Sequence, residues 1–292
     1  MGEAPPGGGD RTRGVALSDA LHAAKLRAET TYNAAADNFD AAPLAFWDRY
    51  GRRTVVRLNL GRGARVLDVC CGTGASALPA ANVVGPTGHV IGVDLSDRLL
   101  ELGRAKARAA GLQSVEFRRG DMTALGFPDG HFDAVVCVFG IFFVPDMERQ
   151  VADLWRMVAP GGQMAVTTWG PRIFAPAYGM WWEAVRRVRP DLHSAFNPWD
   201  RITTVEAVRQ LFHDGGIQNV DVIAEDGHQT LRTVEDFWTI VLGSGLRWTI
   251  DQMDPDLARA VKQEVLQRLS ALGVDRVETN VIYAVVRKPG GR

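Results

Sequence analysis

The sequence predicts an α/β fold in which a parallel sheet is covered by helices on both faces. Short runs rich in β-branched residues alternate with longer amphipathic stretches through the middle of the chain. The spacing between consecutive runs leaves room for the crossover helices that parallel strands require. Glycines and acidic residues directly follow the first three runs, which is the edge of such a sheet where ligands bind.

The predicted elements begin with helices over residues 17–60, where Tyr32, Ala36 and Phe39 share one face at helical spacing. Five strands are then predicted, in the order Arg65–Val69, His89–Asp94, Val115–Arg118, Phe132–Val138 and Gln163–Trp169.

Helices are predicted between these strands. One begins at Ala75, and the next has Ser96 as its N-cap and Gly111 as its stop signal. The helix before the fifth strand carries an apolar stripe made of Met147, Val151, Leu154 and Val158.

Composition narrows the classes of function. The 292 residues include 33 basic and 34 acidic side chains, which gives no reason to expect a broad nucleic-acid or membrane surface. No apolar run approaches the roughly 20 residues of a spanning helix, and residues 1–16 are predicted to be a disordered tail without a signal-peptide core. Three cysteines form neither a disulfide framework nor a zinc-ligand pattern, so we expect a cytoplasmic protein without a metal site.

The first strand ends in the stretch DVCCGTG, residues 68–74. Gly72 and Gly74 allow the chain to turn sharply beside a ligand. The next helix begins at once, so its free N–H groups face the same crevice. The adjacent cysteines lack the two-residue spacing of a redox motif. This turn is therefore predicted to be a ligand-binding loop.

Acidic residues follow the second and third strands. Asp94 lies 20 residues beyond Gly74, where a carboxylate accepts both hydroxyls of a ribose. Asp121, between Gly120 and Met122, is placed to accept an amino hydrogen of a purine. The three strand ends together predict a nucleoside site.

A nicotinamide or flavin site is the main rival. Residues 72–77 fit the pattern G-x-G-x-x-A, and Asp94 fits the acid that holds the ribose. Asp68 argues against it, because a pyrophosphate requires helix N–H groups rather than a carboxylate at the loop entrance. A carboxylate suits a ligand with an amino group, which favours S-adenosylmethionine.

Five segments carry a family resemblance: VLDVCCGTG (66–74), VIGVDLS (90–96), FRRGDM (117–122), FPDGHFDAVVCVFG (127–140) and LWRMVAPGG (154–162). Over about residues 62–170 the chain resembles class I S-adenosylmethionine-dependent methyltransferases of the ubiquinone/menaquinone-type small-molecule branch (methyltransferase domain 11/25-like). The resemblance implies a Rossmann-like, doubly wound seven-stranded sheet, mostly parallel with the last strand antiparallel. Residues 219–224 and 279–287 are the expected sixth and seventh strands.

The resemblance also implies residue roles. Asp68 would meet the methionine amine, and Asp94 would hold the ribose hydroxyls. The other cofactor contacts implied are Cys71, Gly72, Thr73 and Gly74 along the methionine and ribose, Leu95, Gly120, Asp121 and Met122 around the adenine, and Cys137 and Phe139 beside the methionine arm. Cys70 stands where the family has its first glycine, which indicates that this position need not take a glycine-only conformation.

A helical cap is expected over the 61–170 core. Its parts are the helices of 17–60, an aromatic-rich insertion with a helix over 171–218, and a helical insertion over 232–272 between the last two strands of 219–292. Aromatic faces in the insertion suit a flat or apolar acceptor. The predicted acceptor contacts are Phe142, Tyr178, Trp181 and Trp182.

Methyl transfer from a sulfonium depends mainly on holding the nucleophile and the methyl group in line. A base is needed only if the acceptor arrives protonated, and His193 and His228 are then the candidates.

The expected activity is methylation of a small hydrophobic or aromatic metabolite, with O- or C-methylation favoured. The alternative is an S-adenosylmethionine-binding protein that does not methylate and is cyclase-like or regulatory. The identity of the acceptor and a homodimeric assembly stay open.

Overall fold

The computed structural model of the protein describes residues 9–193 and 197–291. The helices are α1 (Gly9–Phe39), α2 (Phe46–Arg57), α3 (Ala77–Val84), α4 (Asp97–Ala109), α5 (Met147–Arg156), α6 (Ala177–Val188), α7 (Val205–Asp214), α8 (Glu235–Leu242), α9 (Arg247–Asp251) and α10 (Pro255–Ala271). The strands are β1 (Arg65–Val69), β2 (His89–Asp94), β3 (Val115–Arg119), β4 (Phe132–Val138), β5 (Val158–Trp169), β6 (Asp221–Glu225), β7 (His228–Thr230), β8 (Arg276–Glu278) and β9 (Val281–Arg287).

Seven strands form one sheet in the order β3-β2-β1-β4-β5-β9-β6. Neighbouring strands from β3 to β5 are parallel, and β9 runs antiparallel to both β5 and β6. Leu67 at the middle of β1 lies opposite Ile91 of β2 and Val135 of β4. The predicted α/β class, the seven-stranded sheet and the antiparallel last strand are confirmed.

Alternate residues of the central strands contribute to apolar clusters on opposite faces of this sheet. Val66 belongs to the cluster with α3, whereas Leu67 belongs to the larger cluster that includes Tyr50 and Trp169. Both side chains are fully buried, as expected for a parallel strand that is covered on both faces. The covering helices leave the carboxyl ends of the strands as the place for a crevice.

Some element boundaries differ from the predictions. Val158 was predicted on a helix, but α5 ends at Arg156 and Val158 begins β5, where it pairs with Phe132. Its β-branched, fully buried side chain fits a central strand better than an exposed helix end. Helix α4 is capped by Ser96, whose hydroxyl accepts from the Leu99 N–H, as predicted. Strands β7 and β8 form a separate two-stranded sheet that was not predicted.

The N-terminal helix begins earlier than expected. Residues 1–16 were predicted to be a tail, but α1 begins at Gly9, and residues 1–8 lie outside the described part of the chain. Good helix formers such as Ala16 and Leu17 follow closely, so a helix can propagate through this stretch. The remaining domain boundaries stay predictions.

Helices from three segments form the cap. Helix α1 packs against α4, α8 and α9, and α6 packs against α10. Except for α4, which belongs to the 61–170 core, these helices lie in the N-terminal segment and in the two insertions that were expected to form the cap. Within the described ranges, no helix combines the length and apolar character needed to cross a membrane.

Candidate functional site

Asp94 at the end of β2 connects two backbone segments of the site. Its Oδ2 accepts a hydrogen bond of 2.9 Å from the Gly72 N–H, and its Oδ1 accepts one of 2.9 Å from the Ser96 N–H. Desolvation raises the pKa of this carboxyl, and the hydrogen bonds oppose that effect. The loop after β1 and the start of α4 are therefore held together by one carboxylate.

The loop after β1 turns through three residues with positive φ. Gly72 has φ +53° and Gly74 has φ +91°, so both glycines meet a backbone requirement. Cys70 has φ +59°, which corrects the expectation that this position would avoid a conformation favoured by glycine. Its sulfur lies 3.6 Å from the Met122 sulfur, so the side chain has a place beside the site despite the strained backbone.

Replacing Gly74 with alanine is expected to lower the free energy of unfolding by more than about 2 kcal/mol. A Cβ at this position would lie 2.9 Å from the Leu78 Cγ and the Phe117 Cζ, in addition to the strain of its positive φ. Urea unfolding would measure the change. Gly161→Ala is the matched control, because Gly161 also has a positive φ (+79°) but no atom within 4 Å of the added Cβ. Equal losses in the two variants would refute the steric argument.

Asp68 of β1 is almost completely buried, with 1% of its surface exposed. Its Oδ2 accepts a hydrogen bond of 2.7 Å from the Ser76 hydroxyl, whereas its Oδ1 has no partner among the described residues. Burial raises the pKa of this carboxyl to about 7. A buried carboxylate oxygen without a donor is uncommon in folded proteins, which makes Asp68 a candidate contact for an amino group.

Asp121 follows β3 and is paired with the cap. Its Oδ2 lies 2.5 Å from the Lys25 Nζ of α1, and its Oδ1 accepts from the N–H and the hydroxyl of Thr123. Desolvation alone would raise its pKa, but these hydrogen bonds outweigh it, so the pKa lies below its usual value. The backbone oxygen of Met122 accepts a hydrogen bond of 2.8 Å from the Gln150 amide.

A narrow cavity of about 90 Å³, called here the cofactor cavity, lies between these strand ends and α1. Seven predicted cofactor contacts line it: Gly72, Asp94, Leu95, Gly120, Asp121, Met122 and Phe139. Val138, from the stretch 137–140 that the resemblance sets beside the methionine arm, also lines it. Further residues line it that were not predicted as contacts: Lys25, Ala28, Tyr32, Phe39, Trp47, Cys70, Val93, Ser96, Leu99, Phe143 and Val144. The apolar face of the helix that carries Tyr32 was the one sequence feature that could have predicted these contacts. The same apolar pattern, however, is also found in a helix that only packs on the core.

The other predicted cofactor residues, including Asp68 and Gly74, do not line this cavity. Thr73 donates a hydrogen bond of 2.7 Å to Asp40, and the Cys71 sulfur packs beside Gly92 within the sheet. Cys137 is fully buried in the core next to β1. The side chains of these three residues are used within the protein. Thr73 makes a hydrogen bond, and Cys71 and Cys137 pack in the core.

A second cavity of about 920 Å³, called here the acceptor cavity, lies between the cofactor cavity and the cap. Both cavities are lined by Ala28, Tyr32, Trp47, Phe139 and Phe143, which form a shared wall. Further aromatic residues of the acceptor cavity are Phe142, Trp169, Phe174, Trp199 and Trp248. The lining also includes polar groups from Arg27, Thr30, Thr31, Asn197, Ser244 and Gln252.

The predicted acceptor contacts are only partly brought together. Phe142 lines the acceptor cavity, but Tyr178, Trp181 and Trp182 do not. Trp181 is fully buried in the apolar core, and Tyr178 stacks on it with ring centroids 6.1 Å apart. These three aromatic residues of α6 therefore pack within the protein and do not line the acceptor cavity.

The two candidate histidines lie apart. His193 meets Trp182 edge-on, with ring centroids 5.2 Å apart, and both line a side pocket that shares Asn197, Trp199 and Trp248 with the acceptor cavity. His228 is exposed on the short strand β7, and its backbone oxygen accepts a hydrogen bond from Arg49. His228 lines neither cavity, and its catalytic role stays a prediction.

No metal centre emerges from the residues that the structure describes, since they contain no group of three or more His, Cys, Asp or Glu arranged to hold a metal ion.

Comparisons with known proteins give three findings. Residues 32–193 match the model of the ubiE/COQ5 methyltransferase family. The chain is similar to "Demethylmenaquinone methyltransferase" of Listeria welshimeri, with 33% identity over 192 residues that cover 61% of this chain and 80% of the relative. The protein of that name from Geobacillus kaustophilus is 40% identical over 119 residues, which cover 40% of this chain and 51% of the relative.

A likeness at the level of the fold extends over most of the chain. The crystal structure of the [4+2]-cyclase SpnF has a TM-score of 0.52 and 23% sequence identity, and the match covers 84% of this chain and 81% of that chain.

Proposed function

Because the chain belongs to the ubiE/COQ5 methyltransferase family, we propose that it methylates a small, largely apolar acceptor held in the acceptor cavity. The enzyme is an S-adenosylmethionine-dependent methyltransferase. The observation that supports the acceptor class is the aromatic lining of a cavity of about 920 Å³ that shares a wall with the cofactor cavity. We also propose a cytoplasmic location, because all three cysteines of the chain are free thiols.

The residues at the strand ends fit S-adenosylmethionine. The unpartnered, buried Oδ1 of Asp68 suits the amino group of the methionine part, and Asp94 suits the ribose hydroxyls. Asp121 and Met122 suit the adenine edge, with Lys25 giving up its place at the Asp121 carboxylate. When bound, this cofactor supplies a methyl group on a sulfonium with a good leaving group.

The protein's own contribution to the reaction is positioning and the exclusion of water. Trp47 stacks on Phe39 with ring centroids 5.4 Å apart, and Phe139 stacks on Trp169 at 4.1 Å. These aromatic contacts position the wall between the two cavities, and an acceptor resting on that wall is held close to the cofactor side. The apolar lining also keeps water from competing as a nucleophile.

Tyr32, which is part of the shared wall, does not supply a general base. Desolvation, together with the nearby Asp94 and Cys70, raises the pKa of the Tyr32 phenol, so this side chain stays neutral and is no general base at neutral pH. An acceptor whose hydroxyl or carbon acid ionises readily therefore fits the site best. His193, in the side pocket, is the proposed base if one is used.

The test is formation of S-adenosylhomocysteine from S-adenosylmethionine with a panel of phenols, naphthols and hydroquinones, followed by mass spectrometry. We expect equal amounts of S-adenosylhomocysteine and of a product 14 mass units heavier than its acceptor. The likeness to a cyclase shows the fold alone, but the same assay separates the two functions. A rearranged product formed without S-adenosylhomocysteine would favour the alternative of a cofactor-binding protein that does not methylate.

A further inference from the structure

The side chain of Thr73, in the middle of the loop after β1, is held by two charged groups. Its hydroxyl donates a hydrogen bond of 2.7 Å to the Asp40 Oδ1 and accepts one of 3.0 Å from the Lys106 Nζ. Lys106 also donates a hydrogen bond of 2.8 Å to the same Asp40 oxygen. The three polar atoms therefore form a closed triangle, called here the loop clasp, around a residue that is 1% exposed.

The loop clasp joins segments that are far apart in the sequence. Asp40 directly follows α1, whereas Lys106 lies in the last turn of α4. At the opposite end of α4, the carboxylate of Asp94 accepts hydrogen bonds from the Gly72 and Ser96 N–H groups. The loop after β1 is thus held at both ends of the same helix.

Thr73 is the residue through which a clasp can restrict both glycines of the loop. It stands between Gly72 and Gly74, which both have positive φ. Glycine has more backbone freedom than other residues, so a loop with two glycines loses more entropy when it takes up a single conformation. A contact that fixes Thr73 restricts its two neighbours before a ligand arrives, and preorganisation of this kind strengthens binding.

The members of the loop clasp belong to the lining of neither the cofactor cavity nor the acceptor cavity. The side chains of Asp40 and Lys106 are both partly exposed to solvent. An ion pair at such a place contributes little to stability by itself. The contact that distinguishes this pair from the other surface ion pairs is the buried hydroxyl of Thr73, which connects it to the loop.

We propose that Asp40 and Lys106 are positioning residues for the cofactor, which act through Thr73 by keeping the loop between Gly72 and Gly74 in its binding conformation. This inference rests on the proposed placement of S-adenosylmethionine beside the loop. It assigns no direct contact with the cofactor to either charged residue. Loss of the loop clasp therefore weakens cofactor binding although no ligand contact is removed.

The first measurement is the affinity of the full-length protein for S-adenosylhomocysteine by calorimetry. We expect binding to weaken roughly fivefold in Lys106→Met, which removes the ammonium, and roughly tenfold in Thr73→Val, which replaces the hydroxyl with a methyl group. Thr73→Ser keeps the hydroxyl and should bind within about twofold of the wild type. In the double variant, Lys106→Met should add nothing to Thr73→Val, because Lys106 acts through that hydroxyl.

Hydrogen exchange in the ligand-free protein gives a second readout. Gly72 is the one glycine of the sequence that follows a cysteine, so labelling with ¹³C′-cysteine and ¹⁵N-glycine selects its amide signal. This N–H donates to Asp94, and we expect it to exchange roughly fivefold faster in Lys106→Met, because the loop opens more often. A clasp that only stabilised the surface would change the free energy of unfolding in urea, but neither this local rate nor the affinity.

Arg108→Met is the matched control. Arg108 lies in the same turn of α4 as Lys106, carries the same charge, pairs with Glu101 and lines neither cavity. It should equal the wild type in both measurements. An equal loss of affinity in Arg108→Met would assign the effect to charge alone and overturn the proposal.

The remaining outcomes separate this proposal from the proposed function. Wild-type affinity in Thr73→Val, a weak Thr73→Ser, or a further loss when Lys106→Met is added to Thr73→Val would overturn the role of the loop clasp only. Failure of the wild type to bind S-adenosylhomocysteine would contradict the proposed function itself. Unchanged binding in Asp94→Asn would contradict the placement of the cofactor on which both proposals depend.

Discussion

Replacing Asp94 with asparagine is expected to weaken S-adenosylmethionine binding about a hundredfold from the micromolar range. Two charge-assisted hydrogen bonds to ribose hydroxyls are lost or weakened, at roughly 1.5 kcal/mol each. The amide also cannot accept from both the Gly72 and the Ser96 N–H groups, which the carboxylate holds at 2.9 Å. The loop after β1 therefore loses its connection to α4 together with its ligand contact. Isothermal titration calorimetry measures the change.

The matched control for this experiment is Asp97→Asn. Asp97 lies in the first turn of α4, close in sequence to Asp94, but its exposed side chain pairs with Arg119 and lines neither cavity. It should bind the cofactor as the wild type does. Equal losses in both variants would mean that a general change of charge, rather than the ribose contact, explains the effect.

The affinity for S-adenosylmethionine is expected to depend on pH through Asp68. Burial raises the pKa of this carboxyl to about 7, so it is mostly neutral below that pH and charged above it. A cationic amine favours the charged form, so binding should strengthen about tenfold per pH unit up to pH 7 and then level off. Without the ligand the sign is opposite, because burying the charge lowers the free energy of unfolding as the pH rises towards 7.

Asp68→Asn tests this assignment by calorimetry between pH 5.5 and 8. Asparagine keeps the shape of the side chain but carries no charge, so its binding should be weak at every pH and lack the step below pH 7. Asp121 is a built-in comparison, since hydrogen bonds from Lys25 and Thr123 hold its pKa below the usual value in the ligand-free protein, where it is already charged throughout this range. A step that persists in Asp68→Asn would assign the pH dependence to another group.

The grouping of the residues at the strand ends was predictable from the sequence, because the carboxyl ends of parallel strands meet at one edge of the sheet. This grouping does not depend on how the cap is arranged. Once β1 and β2 are paired in the register that sets Leu67 opposite Ile91, Asp94 must lie beside the loop containing Gly72. The spacing of short motifs was enough to predict that outcome. The positive φ of Cys70 was not predictable from its residue type, because the turn imposes a conformation that the side chain itself disfavours.

The acceptor cavity was harder to predict for a physical reason. Trp181 and Trp199 belong to the same aromatic-rich segment, but Trp181 is fully buried in the apolar core and Trp199 lines the cavity. Composition gives the amount of apolar surface in a segment but not the direction in which each side chain points. Trp47 has the sequence pattern of a core residue, and only the three-dimensional arrangement of α1, α2 and β4 places it between two cavities. Likewise, β7 and β8 contain three residues each, too few to show a strand period.

Tyr32, Trp47 and Phe139 line both cavities, and we therefore expect the binding of the two proposed ligands to be thermodynamically coupled. Side chains ordered by one ligand need not be ordered again by the other, so whichever molecule binds first lowers the entropic cost for the second. Linkage makes the effect mutual: the factor by which an acceptor tightens cofactor binding equals the factor by which the cofactor tightens acceptor binding. By the same linkage, an acceptor that displaces these side chains from the arrangement that suits the cofactor weakens cofactor binding. A poorly fitting acceptor therefore also promotes release of the methyl donor.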